Sequence, residues 1–390
     1  MGFARSKKVE LDKYTIDRVI QKKSQSSNFL GSISSIEAPA SDSLIIRLKE
    51  PNVSILKALS RDQVGVVPVD WKFDKESSEP LVGSGAYRLI KKGRNWNLEV
   101  NDKYPKASAI SIREWQLVFF ADHDLNVPSV GLPDYVPGAT LSTKTGMQKV
   151  SGFEKLKTVS QISYAQTSAW WHPHGIHFNS PESRNRAMGL IEEILAKGCK
   201  KLELERATGV IPKGVAGHLA ATDTPKVSHK KYEKTEPLKL AFVGATFDDF
   251  LKGTDVQAIA KEHGFQIEVI KVSPSEMSKV SEKKPDVIFA GWAGGFNDPE
   301  GFIALLPTFL GKDFGTYIGP ALAEKYKRAR QEENWTVRSE LFQQINAHLR
   351  KDQLMVPGWR IPFYIIGQTN MISEEATFRY TPRLHLVKEL

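Results

Sequence analysis

Apolar residues along this chain shift between helical spacing and strand alternation, and the shifts mark its elements. Thr15 is placed to cap a short helix carrying Ile16, Val19 and Ile20 on one face. Ile33 to Ile36 and Leu44 to Leu48 flank Ser41-Asp42 as a hairpin that Pro51 ends, and Ala86 to Ile90 and Trp96 to Val100 form a second one around Gly93. From Asp122 to Gly146 no period is sustained among Pro, Gly and short polar residues, so this stretch reads as an irregular connection. Ser183 caps a helix with Ala187, Leu190, Ile191, Ile194 and Leu195 on one side, and Gly198 stands where a left-handed terminating residue belongs.

The pattern then becomes strand, helix, strand. Leu238 to Val243 is followed by a helix from Val256 to Glu262 capped by Asp255, then by Gly264 and the alternating Phe265, Ile267 and Val269, with another strand at Val287 to Ala290. That order predicts parallel pairing and an α/β layer. Two helices follow, one marked by Leu322, Tyr326 and Ala329 and the next by Leu341, Phe342, Ile345 and Leu349, with Asn334 or Thr336 as the start of the second.

With 41% hydrophobic and 25% charged residues over 390 positions, the chain is long enough for two or more cored lobes and too apolar for disorder. No run approaches the ~20 apolar residues of a bilayer span. Basic residues at the start precede no apolar segment, so no secretory leader is read there, and the chain taken literally stays in the cytosol. A single cysteine, Cys199, excludes an internal disulfide and multi-cysteine metal sites. The net charge of +9 raises the question of nucleic acid, but the basic residues are scattered. Their one dense run, Lys226 to Lys234, lies between Pro225 and Pro237 as a solvated connector, so no nucleic-acid partner is expected.

Candidate chemistry is sparse. Gly83-Ser84-Gly85 lacks the Gly-Lys-Ser/Thr of a phosphate loop and precedes a strand, which makes it a structural turn. Of His172, His174 and His177, only the first two share a strand face, and no Cys or spaced carboxylate completes a metal set. No nucleophile elbow, His-Glu-x-x-His or catalytic-cysteine signature occurs, and the paired acids Asp248-Asp249 and Glu192-Glu193 read as solvated faces. An enzyme is not expected, nor is a metal or cofactor.

Three separated segments do carry a resemblance. Pro80-Leu81-Val82-Gly83-Ser84-Gly85-Ala86-Tyr87 is followed by Asn101 and Tyr104; Gly175-Ile176-His177-Phe178-Asn179 leads into the Ser183 helix; and Gly291-Trp292-Ala293-Gly294-Gly295-Phe296-Asn297-Asp298-Pro299 precedes the helical pair and Val356 to Phe363. In content and order these resemble the peptide/nickel-binding family of bacterial extracytoplasmic solute-binding proteins, the receptors of ABC importers. The resemblance implies an α/β, two-lobed periplasmic-binding-protein-like fold with mixed sheets and an incomplete first lobe. On that mapping residues 1–78 are a remnant of an N-terminal subdomain, 79–173 and 368–390 the first lobe and 174–367 the second, with hinges near 174–179 and 364–368.

It further implies a monomeric receptor that encloses a peptide or similar small solute and delivers it to an ABC permease, in the periplasm or cell envelope. The expected ligand-binding residues are Trp292, Gly294, Gly295, Phe296, Asn297, Trp359 and Arg360. For Trp292 and Phe296 the other reading is two core aromatics at a glycine turn, and Arg360 fits either a carboxylate-facing cleft position or a surface charge. Gly295 stands where peptide-binding members carry the Asp that pairs with a free amino terminus, and Asp298 matches an acid that shapes the turn. Two other functions stay open: a cytoplasmic ligand-sensing domain of a regulator, and a scaffold without ligand.

Overall fold

The computed structural model describes residues 5–21, 27–40, 42–61, 64–66, 83–93, 95–118, 132–139, 141–161, 164–173, 175, 181–220, 237–294, 297–304, 306, 314–371 and 384–387. The order of elements is α1 (Arg5–Gln21), α2 (Ser27–Leu30), β1 (Ile33–Ala40), β2 (Ser43–Leu48), α3 (Ile55–Leu59), β3 (Tyr87–Lys92), β4 (Asn95–Val100), β5 (Glu114–Leu117), β6 (Tyr135–Ala139), α4 (Leu141–Met147), β7 (Lys157–Gln161), β8 (Ala165–Trp171) and α5 (Pro181–Lys201). There follow β9 (Leu238–Val243), α6 (Asp248–Gly253), α7 (Val256–Glu262), β10 (Ile267–Val272), β11 (Val287–Ala293), α8 (Glu300–Ile303), α9 (Phe314–Ile318), α10 (Pro320–Gln331), α11 (Trp335–Lys351), β12 (Met355–Arg360) and β13 (Phe363–Gly367).

The largest layer is a mixed sheet in the order β10-β9-β11-β8-β12. Strands β10, β9 and β11 run parallel, as their spacing predicts, while β8 pairs antiparallel with both β11 and β12. Side chains alternate between the two faces. Leu240, Phe242, Val287, Phe289 and Trp171 face a core shared with α5, α6 and α7. Ala241, Val243, Ile288, Ala290, Trp292 and Trp170 face the other, which is packed by Phe302 and by the apolar stripes of α10 and α11. Two smaller sheets, β3-β4-β5 and β6-β13-β7, and the hairpin β1-β2 complete the strands.

Several elements form as their caps dictate. The Asp255 side chain accepts from the Ala258 N–H, and Asn334 accepts from Thr336 and Val337, so both start their helices where the pattern places them. Gly93, at φ +61°, makes the tight β3-β4 turn.

Four sequence expectations are corrected. Thr15 lies inside α1, which begins ten residues earlier, and Ser183 lies inside α5, which begins at Pro181. Gly198 does not end that helix: α5 runs on to Lys201, and the glycine instead makes room for the Phe250 ring, which would lie 2.0 Å from a Cβ built at 198. The stretch read as irregular holds β6, which forms by antiparallel pairing with β13 rather than from a period of its own, and most of α4.

Candidate functional site

Two chain crossings fix where a site can form. β7 belongs to the small β6-β13-β7 sheet and β8, three residues on, to the five-stranded sheet; β12 and β13 make the reverse passage across Ile361 and Pro362. Both passages fall at one end of the large sheet. Ala293 pairs with Ala165 there, and Arg360 with Gln166, so the end of β11, the start of β8 and the end of β12 meet.

The same end carries the C-termini of the parallel strands β9, β10 and β11. From β9 the chain moves outward to β10 through α6 and α7 on one face. It returns past β9 to β11 through the 3-10 helix Pro274–Lys283, whose Val280 packs on the opposite face. Connections that part in this way leave a crevice at the strand ends, the usual ligand position in open α/β sheets. Gly244, at φ +92° with open space around it, Gly294 and Asn297 border this position.

The expected binding residues do not all share it. Trp292 is 7% exposed and points into the core beneath α10 and α11, with its indole N–H donating to the Phe302 carbonyl at 3.0 Å and its ring 6.2 Å from Trp170. Trp359 is 1% exposed on the opposite face, stacked on Phe250 at 4.7 Å with Phe247 edge-on. One sheet lies between the two indoles, so they are not two walls of one cleft. Gly294 gives its space to Phe302, whose ring would lie 2.3 Å from a Cβ at 294; no room is left there for a ligand to reach the backbone.

Asn297 is exposed beyond the sheet end, its carbonyl accepting from the Lys57 ammonium at 3.4 Å. Arg360 donates to Glu205 at 2.8 Å while its side chain remains 23% exposed, so it is a tethered charge at the rim. Gly295 and Phe296 lie outside the described residues, as do His174, His177 and Lys226 to Lys234. His172 is buried against the Ser281 hydroxyl at 3.0 Å. Among the described residues no group of three His, Cys, Asp or Glu side chains is placed to hold a metal ion, and no helix is long and apolar enough to cross a membrane.

Asp298 does shape the turn, and more. Its carboxylate accepts from the Glu300 N–H at 3.0 Å, from Arg338 at 2.8 and 2.9 Å, from the Ser54 hydroxyl at 2.9 Å and from Lys57 at 3.1 Å. Burial would raise this carboxyl, but the Arg338 bonds, with the charges of Arg338 and Lys57, outweigh it and hold the group below its ordinary value. With both oxygens engaged, it has no capacity left for a ligand amine. This cluster went unread in the sequence; the only hint was the family-like Asp298-Pro299, since Ser54 and Arg338 are 284 positions apart.

Other residues settle as structural. Asn101 Nδ2 donates to the carbonyls of Gly85 at 2.9 Å and Gly83 at 3.4 Å, making Gly83-Ser84-Gly85 a pinned turn. Burial pushes the Cys199 thiol up to about 11, an inert state. A cavity of about 590 Å³ lined by Leu132, Asp134, Gly152, Lys155, Leu156 and Gln368 lies at the Gly367 end of β13, away from the crossings. Its volume is in the range of small-molecule pockets, but it holds none of the expected binding residues.

No protein-family model matches this chain, and no curated protein does. Solved structures do. The chain is similar to the Helicobacter pylori ABC transporter-associated periplasmic binding protein DppA in complex with the peptide STSA, at 15% identity and TM-score 0.71 over 97% of this chain and 80% of that one. The chain has the two-lobed fold of the periplasmic binding proteins. NikA from Brucella suis in complex with Fe(III)-EDTA shares it at 16% identity and TM-score 0.71, over 97% of this chain and 84% of that one. So does the Escherichia coli murein tripeptide binding protein MppA, at 15% identity and TM-score 0.69, over 93% and 79%. At these identities the likeness establishes the fold, α/β with mixed sheets, and leaves the ligand to chemistry.

Proposed function

We propose that this protein is a solute-binding receptor of the periplasmic-binding-protein type, which captures a peptide or similar small solute between its lobes and passes it to an ABC importer in the cell envelope. The observation that carries the reading is the pair of strand passages, β7 to β8 and β12 to β13, which join the large sheet to the small one beside the crevice at the strand ends. Paired crossings of this kind act as a hinge when two bodies close on a ligand. We place the hinge at the β7-to-β8 and β12-to-β13 passages, ahead of the 174–179 and 364–368 that the resemblance implies, and the ligand against Asn297 and the rim at Arg360. Binding rather than catalysis fits a site with, among the described residues, no nucleophile and base in reach of each other.

Asn297 supplies an amide, Arg360 a guanidinium suited to a carboxylate, and Gly295 and Phe296 the chain between. Trp292, Gly294 and Trp359 support this edge from within. Gly295, where the resembling peptide receptors carry Asp, takes away the partner of a free amino terminus, so the solute is one recognised without that contact.

The test is a native mass spectrum of the purified protein against its denatured mass, alone and with mixed peptides and small anionic solutes. A displaceable adduct, weakened about tenfold or more in Arg360→Ala and Asn297→Ala, is the expected result. Gly295→Asp should raise affinity for peptides with free amino termini. Absence of any adduct across these solutes would overturn the receptor reading and favour a scaffold that binds no ligand.

A further inference from the structure

The buried charge cluster around Asp298 joins parts of the chain that the two-lobe reading keeps separate. On one side stand Glu50, Ser54 and Lys57, from the loop and short helix after the β1-β2 hairpin. On the other stand Asp298 and Glu300 after β11, Arg330 at the end of α10, and Arg338 in α11. Arg338 clamps the Asp298 carboxylate with two nitrogens, gives a 2.7 Å bond to the Ser54 hydroxyl and spends its Nε on the Ala329 carbonyl at 3.1 Å. The Arg338 and Asp298 side chains are each 2% exposed. Arg330 repeats the arrangement, holding Glu300 and Glu50 at 2.8 Å each, and its own carbonyl accepts from the Val53 N–H at 3.0 Å.

Around these charges the packing is continuous. Ile16, Val19, Phe29, Leu30, Ile33, Ile36 and Ala58 belong to the same apolar core as Trp292, Phe302, Leu341 and Phe342. Surfaces that meet only when a receptor closes must separate into water again and are accordingly polar and wet, whereas large apolar contacts hold domains together. Opening this contact would leave Arg338 and Asp298 paired, since both belong to the same side, but it would break the bonds of Ser54 and Lys57 to Asp298 and of Glu50 to Arg330 and return the apolar side chains around them to water.

We infer that the described residues between 5 and 64 form one rigid body with the lobe built on the five-stranded sheet, and that closure moves this combined body against the one that carries the β3-β4-β5 and β6-β13-β7 sheets. The inference rests on the receptor reading for the word closure, but the unity of the first body does not depend on any ligand. The chain then passes between the bodies three times, between Val64 and β3, between β7 and β8, and between β12 and β13, one passage more than the two at the sheet ends. Asp298 is the pin of the larger body and not a ligand contact.

Spin labels test this directly by electron-electron distance measurement on the full chain. Leu56, 76% exposed, and Lys327, exposed on α10, are changed in pairs to Cys with each other and with the exposed Ser111 between β4 and β5. Cys199 is 3% exposed and does not compete for the label. The expected result is a narrow Leu56-to-Lys327 distribution that is the same with and without solute, and a Leu56-to-Ser111 distribution that is broad or shifts. Arg338→Met should broaden the first pair, and Arg338→Lys, which keeps one charge in place, should broaden it less. A Leu56-to-Lys327 distance that is bimodal or moves with solute would overturn the inference and make the cluster a closure contact. If no solute shifts any pair, the receptor reading fails, while the width of the first distribution still decides whether the body is one.

Discussion

The five-stranded sheet and the β6-β13-β7 sheet are joined by two strand passages but are held in different ways. The first is covered on both faces: all seven residues of β8 are buried, and aromatic rings such as Phe242 and Phe289 stack across β9 and β11 at 4.3 Å. The second rests on a cluster whose fully buried members, among the described residues, are Ala139, Met147 and Ile366, with partly exposed side chains around them. A sheet buried on both faces gains far more from the hydrophobic effect than one with a thin cluster beneath it. The difference suits a receptor in which one body sets the geometry of the strand ends and the other yields when the hinge closes.

The strongest blow to this contrast falls inside the larger body. Arg338→Met leaves the Asp298 carboxylate buried without its guanidinium, and denaturant unfolding should show a loss of about 3–5 kcal/mol. A loss below 1 kcal/mol would mean that the cluster is solvated and that the larger body is no tighter than the smaller. Next comes Ile366→Ala in the thin cluster, expected to cost about 2–3 kcal/mol, the low end for such a truncation because few neighbours are left unsupported. Hydrogen exchange should quicken in β6, β7 and β13 while β9 and β11 keep their protection. Equal quickening in all five strands would show a single cooperative unit and remove the contrast.

Gly294→Ala is a smaller perturbation at the junction of core and crevice. Its methyl meets the Phe302 ring and should cost about 1–3 kcal/mol in thermal unfolding. An unchanged melting temperature would show that the ring has room to move and that the position is open to a ligand after all.

The smallest effect is one of slope. Because the Asp298 carboxyl sits below its ordinary value, its contribution is present above that value and is lost as the pH falls through the folded one. Glu300 opposes it: burial raises that carboxyl, so the cost of its charge is relieved as acid is added. Stability of the wild-type protein should therefore fall with acid below about pH 4, and Asp298→Asn should flatten that fall. A steeper fall in Asp298→Asn would contradict the assigned direction.

Legibility in the sequence followed where the information is local. The β1-β2 and β3-β4 hairpins, β9, the Asp255-capped α7 and the Asn334-capped α11 are written in residues a few positions apart, and they form where the pattern puts them. Long-range packing broke the rules elsewhere. Gly198 looks like a helix end by its local pattern, yet α5 continues through it to Lys201 and the bare glycine lets the Phe250 ring pack close. β8 carries Gln166, Thr167 and Ser168 in a buried strand, a polar run that only its partners explain, since Gln166 donates to the Gly209 carbonyl and Thr167 accepts from the Trp359 N–H.

The same division runs through the candidate site. The segment from Gly291 to Pro299 was legible as a place of interest, but nothing in its residues reveals that Trp292 and Trp359 would face opposite sides of one sheet. Side-chain parity cannot be compared between strands until their register is known, and for β12 a register shift between Pro357 and Arg360 intervenes. Arg338 and Ser54 were invisible as a pair for the same reason of distance along the chain.

The central claim is that two bodies close on a solute about the β7-to-β8 and β12-to-β13 crossings. Small-angle X-ray scattering of the protein with and without a solute shown by mass to be bound tests it most directly. The account predicts a smaller radius of gyration in the bound sample, with Arg360→Ala needing more solute to reach it. An identical scattering profile at full occupancy would contradict it, because a ligand held without closure is not held between the lobes.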